Sequence, residues 1–136
     1  MQVLVDANIV IGFIDGDGYA RRFFAQAMRE QWELFFIPDV YNESPRVTTA
    51  PDALKWLFSE LVKHEAYRRI YPTALEEQLA MELSGRCISL FGYNIAGTDR
   101  RLAAVAKSRG LPLFTKDKDL QALAAREGVR LFRHIP

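Results

Sequence analysis

Acidic side chains stand beside the short apolar runs of this 136-residue sequence. Each of three runs is followed by one or two acids, and a further acid opens a predicted helix. These acids are Asp6, Asp39, Glu43, Asp99, Asp117 and Asp119. Carboxylates brought to one place repel each other, and a divalent cation is the simplest compensation. Mg²⁺ and Mn²⁺ prefer oxygen ligands; one such ion can activate a water molecule, and two can clamp the attacking and leaving oxygens of a phosphodiester.

The sequence lacks the motifs of several competing chemistries. It contains no Gly-x-Gly-x-x-Gly and no Gly-x4-Gly-Lys-Ser/Thr motif for a nucleotide. Its two histidines, His64 and His134, are not spaced for zinc, and the turn at residues 15–18 does not follow the calcium-loop pattern. Cys87 is the single cysteine, which excludes an internal disulfide. The acids therefore remain the strongest candidates for chemistry.

Three apolar runs with strand character precede the acids. They cover residues 3–5, 34–37 and 111–114. A helical apolar pattern over residues 19–31 separates the first two runs, and this order of strand, helix and strand favours a right-handed parallel crossover. A second helix, over residues 99–109 with Thr98 as its N-cap, leads into the third run. Because ligands of such open sheets bind beyond the carboxyl ends of the strands, the sequence predicts an α/β fold with the acids at that edge.

The remaining segments are predicted mainly as helices. We expect helices over residues 52–66, 73–85 and 120–127, a linker over 67–71, a short helix and turn over 87–97, and a last strand over 129–132. Thr73 and Glu76 match a capping box at the start of the second of these helices, and Gly85 is expected to stop it. Glu76, Glu77 and Glu82 are expected on solvated helix faces.

Length and composition favour one domain over residues 1–136. Hydrophobic residues make up 49% and charged residues 26% of the chain, which is an ordinary globular balance, and the net charge is +1. No apolar run approaches the ~20 residues that cross a bilayer, and the start lacks a signal-peptide pattern. We therefore expect a cytoplasmic protein with no membrane partner. A homodimer is compatible with the sequence, with Trp56 at the rim of the core or on one candidate dimer surface.

Three blocks of the sequence resemble the PIN-domain family: VLVDAN at the start, IPDVYNES after the second strand and TDRRLAAVAKSRGLPLFTKDKDL near the end. The resemblance implies a three-layer α/β/α fold around a central parallel sheet. It also implies a ribonuclease that depends on Mg²⁺ or Mn²⁺ and cuts single-stranded RNA, as do toxins of VapBC-type pairs, with an antitoxin protein as partner. The acidic site that it implies consists of Asp6, Glu43, Asp99 and Asp117. Pro45 departs from the family pattern by breaking the helix after Glu43, so Asp39 competes with Glu43.

Other polar residues flank these acids. Asn8 and Thr115 lie two residues from Asp6 and Asp117 and are candidates to orient a carboxylate or a metal-bound water. Asp119 is an alternate for Asp117. The basic residues that can contact phosphates are Arg46, Arg100, Lys116 and Lys118.

The acids also have a purely structural interpretation. Asp99, Asp117 or Asp119 can be helix caps or favour a helix N-terminus. Two other functions are considered beside the nuclease. A PIN-like module that binds RNA or a protein without cutting is favoured if the acidic set is incomplete. An aspartyl-phosphate receiver that uses Asp6 is disfavoured, because the residues after Asp6 lack the second carboxylate that such sites place beside the nucleophile.

Overall fold

The computed structural model describes residues 1–41, 50–92 and 94–133. The strands are β1 (Gln2–Val5), β2 (Glu33–Phe36), β3 (Tyr67–Arg69) and β4 (Leu113–Phe114). The helices are α1 (Ala7–Ile14), α2 (Gly18–Arg29), α3 (Pro51–Lys63), α4 (Ala74–Phe91), α5 (Gly97–Arg109) and α6 (Lys118–Arg126). Residues 38–41, which follow β2 after Ile37, are also helical. Within the described ranges, no helix combines the length and the apolar character needed to cross a membrane.

The described strands form one sheet in the order β3-β2-β1-β4, and every neighbouring pair is parallel. Val3, Leu4 and Val5 of the central strand β1 are all fully buried. Successive residues of a strand point to opposite faces, so both faces of the sheet are covered by other elements. The predicted three-layer α/β/α fold with a central parallel sheet is confirmed.

Helix α2 anchors the β4 edge of the sheet. Its predicted apolar stripe is buried at Ala20, Phe23, Phe24 and Ala27. The ring centroid of Phe23 lies 4.5 Å from that of Phe114, the last residue of β4, and 5.4 Å from that of Phe132. Leu131 forms a parallel bridge with Leu113, but residues 129–132 do not form the extended strand that the sequence predicts. Aromatic packing rather than a full strand ladder therefore fixes the end of the described chain.

Two predictions for the middle of the chain are wrong. Residues 67–71 are not a linker, because Tyr67–Arg69 pair with β2 as the edge strand β3. An edge strand has one partner and a mixed burial pattern, which leaves only a weak signal in the sequence. Gly85 does not stop α4, because a helix tolerates one glycine at a cost of about 1 kcal/mol. The helix ends at Gly92, whose φ of 78° is a conformation that glycine adopts readily.

The exposed ring of Trp56 lies at the rim of the core. The residue is 53% exposed, and its ring stacks on that of Phe13 in α1 with centroids 6.0 Å apart. Trp56 thus joins α3 to α1. A homodimer through this surface stays a prediction.

Glu76 is buried, contrary to the expectation of a solvated face. Only 3% of the residue is exposed. Its two carboxylate oxygens accept hydrogen bonds from Nε and Nη2 of Arg109, both at 2.9 Å, and Oε1 also accepts the Thr73 N–H of the predicted capping box. The Arg109 guanidinium lowers the pKa of Glu76 to about 2, against burial that acts in the opposite direction. This pair joins the start of α4 to the end of α5.

Replacing Glu76 by glutamine should lower the free energy of unfolding near neutral pH by about 1 to 3 kcal/mol, because it removes the charge-assisted hydrogen bonds between the buried carboxylate and the Arg109 guanidinium, whose side chain is 30% exposed. The folded-state pKa of Glu76 lies below its ordinary value of 4.5. Its contribution is therefore complete above that value and is lost as the pH falls toward about 2. Urea unfolding at several pH values should show the wild-type advantage shrinking with acidity. The exposed Glu82 of the same helix supplies the control variant Glu82→Gln, which should lose little stability at any pH.

Candidate active site

Asp6 directly follows β1 and begins α1. It is 4% exposed, and its extended backbone makes it the N-cap of this helix. Its Oδ1 accepts the Ala7 N–H at 2.6 Å, and its Oδ2 accepts the Thr115 hydroxyl at 2.7 Å. Burial of a carboxylate is costly unless it is hydrogen-bonded, and these two donors hold both oxygens in place without neutralising their charge. The helix-cap role and the position at the strand end thus coincide in one residue.

The Thr115 hydroxyl lies at the centre of a hydrogen-bonded cluster after β1 and β4. It donates its one hydrogen to Asp6 and accepts bonds from Asn8 Nδ2 at 3.2 Å and from the Asp117 N–H at 3.1 Å. Asn8 Oδ1 in turn accepts the Lys116 N–H at 3.3 Å. Because a hydroxyl has a single hydrogen, these acceptor contacts fix the direction in which Thr115 donates. We call Asp6, Asn8, Thr115 and Asp117 the acidic edge.

Asp117 is the N-cap of α6. Its Oδ1 accepts the backbone N–H groups of Asp119 at 2.9 Å and Leu120 at 3.1 Å. Its Oδ2 receives no hydrogen bond from any residue in the described ranges, so one oxygen of the carboxylate stays available to a ligand. Gln121 Nε2 donates to the Thr115 carbonyl at 2.8 Å, which fixes the turn between β4 and α6. Asp119 lies in the first turn of α6 rather than at the cap.

Asp39 belongs to a separate ion pair. Its Oδ2 accepts Nη1 of Arg101 at 2.8 Å and the Thr98 hydroxyl at 3.1 Å. Arg101 also donates through Nε to Glu77 at 3.1 Å. The predicted N-cap role of Thr98 is wrong, because α5 begins after Ala96 and Thr98 bonds Asp39 instead. Asp99 is half-buried in the first turn of α5, where the helix dipole favours a negative charge.

The structure joins part of the predicted acidic set. Hydrogen bonds link Asp6, Asn8, Thr115 and Asp117, whereas Asp39 is bound to Arg101. Glu43 lies outside the described residues, and the approach of Asp99 to Asp6 stays a prediction. Across residues 1–41, 50–92 and 94–133, no three His, Cys, Asp or Glu side chains are grouped so as to hold a metal ion.

The donor atoms of the acidic edge suit a hard cation. They are carboxylate, amide and hydroxyl oxygens, the ligand types that Mg²⁺ and Mn²⁺ prefer. Asp6 is held rigidly by neutral donors, and Asp117 keeps its Oδ2 available. These residues therefore fit a divalent ion, and the contribution of Asp99 and Glu43 as further carboxylates stays a prediction.

The basic residues near the edge have different roles. Lys116 Nζ bonds Asp17, the N-cap of α2, so this ammonium is engaged in tying α2 to the β4 turn. The sequence predicts only a plain turn around Asp17, so this ion pair is not predicted. Arg100 points toward α4, where Nη1 donates to the Ala80 carbonyl at 3.5 Å. Lys118 is exposed and forms no ion pair with a described residue. Arg46 lies outside the described residues.

A family model described as the PIN domain matches residues 3–126 of the chain. The chain belongs to the PIN-domain family. The match runs from Val3 in β1 to the end of α6 and therefore contains every residue of the acidic edge. The resemblance inferred from the sequence blocks is confirmed. No curated protein matches this PIN domain by sequence.

Solved structures share the fold of this PIN domain over nearly its whole length. VapBC2 from Rickettsia felis, bound to a DNA fragment from its promoter, is similar with a TM-score of 0.71 and 13% identity, over 97% of this chain and 98% of that chain. FitAcB from Neisseria gonorrhoeae is similar with a TM-score of 0.66 and 15% identity, over 96% of each chain. VapC20 from Mycobacterium tuberculosis, a sarcin-ricin loop cleaving toxin, is similar with a TM-score of 0.60 and 16% identity, over 88% of this chain and 93% of that chain. At these identities the likeness is one of fold.

Proposed function

We propose that this PIN-domain protein is a metal-dependent endoribonuclease that hydrolyses phosphodiester bonds of single-stranded RNA. The observation that carries the proposal is the fixed acidic edge, in which the Thr115 hydroxyl orients the buried Asp6 carboxylate. In this proposal residues 1–136 act as one domain. Asp6, Glu43, Asp99 and Asp117 hold Mg²⁺ or Mn²⁺, with Asp119 as an alternate for Asp117.

The bound ion would supply water activation and stabilisation of the leaving oxygen. The residues of the chain fix the orientation of the carboxylates. Thr115 holds Asp6 Oδ2 in one orientation, and Asn8 holds both the Thr115 hydroxyl and the Lys116 backbone. Because the capping bonds of Asp117 use only Oδ1, that residue can keep α6 in place and present Oδ2 at the same time. Such support from neighbouring groups is what keeps metal-binding carboxylates in a productive geometry.

A role as the toxin of a toxin–antitoxin pair is part of this proposal. Its support is the fold shared with VapBC2 and with VapC20, which is itself described as a toxin. The proposed partners are then single-stranded RNA and an antitoxin protein, in the cytoplasm. Co-expression with a small gene from the same operon tests the pair, because an antitoxin should co-purify with the chain and suppress cleavage.

Purified protein should cut single-stranded RNA only when a divalent metal is present. Cleavage should stop when the metal is chelated and return when Mg²⁺ or Mn²⁺ is added back, because the carboxylates alone cannot stabilise the leaving oxygen. Gel analysis of end-labelled RNAs of varied sequence measures this. The control is the same RNA annealed to its complement, which should be cut more slowly.

A non-catalytic PIN module is the second candidate. The observation that favours it is that the described acids are not grouped closely enough for three of them to share an ion. If the wild-type protein binds Mn²⁺ and RNA but cuts none of the tested RNAs, this second function replaces the first.

A further inference from the structure

A cavity of about 530 Å³ opens beside the acidic edge. Its walls come from the first turn of α2, the first turns of α6 and the last described residues of the chain. Thr115 lines the cavity with its neighbour Lys116, and the same Thr115 donates its hydroxyl hydrogen to Asp6. The cavity and the buried carboxylate are therefore separated by one side chain. Its volume is within the range of pockets that hold small organic groups.

Aromatic residues line part of this cavity. Tyr19 is half-buried, and its ring centroid lies 5.9 Å from that of Phe114. Phe132 is fixed by ring contacts with Phe23 and Trp32 at 5.4 and 5.8 Å. Rings that are held in place by packing give a flat apolar surface at little entropic cost. Such surfaces bind nucleobases by stacking, and they do so with any base.

Positively charged side chains also line the cavity. Lys118 and Arg133 are exposed, line the cavity and form no ion pair with any residue that the structure describes. This distinguishes them from Lys116, which is bound to Asp17. Gln121 also lines the cavity; its Nε2 is bound to the Thr115 carbonyl, which leaves its Oε1 as an acceptor. Cations beside aromatic rings match the phosphate and the base of one nucleotide.

We propose that this cavity is a subsite for one unpaired nucleotide of the RNA, next to the phosphodiester that is cut. The base lies against Tyr19 and Phe132, and the phosphate lies between Lys118 and Arg133. The inference rests on the proposed ribonuclease function and adds the place at which one nucleotide of the RNA binds. It also gives a physical reason for single-stranded RNA, because a paired base cannot leave its stack to enter the cavity without an energetic cost.

Charge variants test the phosphate contact. Binding of single-stranded RNA by Lys118→Ala and Arg133→Ala is measured by fluorescence anisotropy in the Asp6→Asn background, across a series of salt concentrations. Each variant should weaken binding and reduce the slope of log affinity against log salt by about 0.7, the value for one phosphate contact on a single strand. Arg126→Ala removes an exposed charge at the far end of the same helix α6 and should leave both values unchanged.

Abasic substitution tests the base contact. A cleaved RNA is resynthesised with one base removed at successive positions around the cut, and kcat/KM is measured for wild type, Tyr19→Leu and Tyr19→Ala. One abasic position should slow the wild-type enzyme by about tenfold, and this penalty should disappear in both variants because the stacking partner is gone. Tyr71→Ala removes an exposed ring beyond β3, at the opposite edge of the sheet, and should keep the full penalty.

The outcomes separate this inference from the proposed function. A wild-type protein that cuts no RNA overturns the ribonuclease proposal, and the subsite with it. The subsite alone is overturned if the protein cuts RNA but two results are negative. These are that Lys118→Ala and Arg133→Ala keep the wild-type salt slope, and that the Tyr19 variants change the penalty of no abasic position. Tyr19→Leu retains an apolar side chain against Phe114, so a loss confined to Tyr19→Ala reports unfolding and also counts against the subsite.

Discussion

Asp6→Asn should slow RNA cleavage on the order of a thousandfold, the scale observed when a group that stabilises charge in a transition state is removed. The amide keeps the size of the carboxylate, and its oxygen can still accept the Ala7 N–H that caps α1. It removes a negative charge from a buried position, however, and with it the ligand that the proposed function assigns to the cation. The fold should persist, because β1 and α1 retain their packing.

Initial cleavage rates and melting curves measured together check this expectation. The melting midpoint of the wild-type protein should rise with Mg²⁺ or Mn²⁺, because binding to the folded state alone stabilises it, and the midpoint of Asp6→Asn should not rise. Asp117→Asn should behave similarly, since its amide oxygen can keep the capping bonds of α6. Asp15→Asn changes an exposed acid at the end of α1 and serves as the control. Cleavage by Asp6→Asn within about tenfold of wild type would show that the acidic edge is not the active site.

Glu43→Gln should reduce cleavage by about a hundredfold or more, whereas Asp39→Asn should leave most of the activity. The reason lies in the charge environment of Asp39. Its Oδ2 already accepts Arg101 Nη1 and the Thr98 hydroxyl, so the guanidinium offsets the negative charge that a metal ion would need. Glu43 is the remaining candidate after β2, and its role is a proposal that this pair of variants tests.

Both variants are best assayed over a range of metal concentrations. Glu43→Gln should require more metal for its residual activity, and Asp39→Asn should show the wild-type requirement. Asp39→Asn should lose about 0.5 to 1 kcal/mol of stability, because the Arg101 ion pair that it breaks is partly exposed. The opposite result, with Asp39→Asn inactive and Glu43→Gln active, would assign Asp39 to the metal and make its contact with Arg101 a feature of the metal-free protein.

The sequence predicted the elements whose signals are local and strong. The run from Val3 to Val5 is continuously apolar because helices cover both faces of β1, and Asp6 follows it at once. The stripe of α2 and the Thr73 to Glu76 capping box are also local patterns, and both are present. The parallel sheet followed from the order of these elements along the chain.

The features that the sequence did not predict depend on partners far away in the chain. Thr98 has the residue type of an N-cap, but its hydroxyl bonds Asp39, 59 positions earlier. Glu76 has the pattern of a solvated face, but Arg109 reaches it from the end of α5. The edge strand β3 has too few buried residues to produce a period of two. In each case a tertiary contact, which the local sequence pattern does not contain, determined the outcome.

The placement of Thr115 also determines when the acidic edge can form during synthesis. The hydroxyl that orients Asp6 comes from a residue 109 positions later in the chain. A ribosome must therefore release β4 and the turn after it before the carboxylate at the very beginning can be held in its working orientation. A nascent or truncated chain that stops short of Thr115 carries Asp6 but lacks the hydroxyl that fixes it. Under the proposed ribonuclease function, chains that end before Thr115 should therefore be inactive.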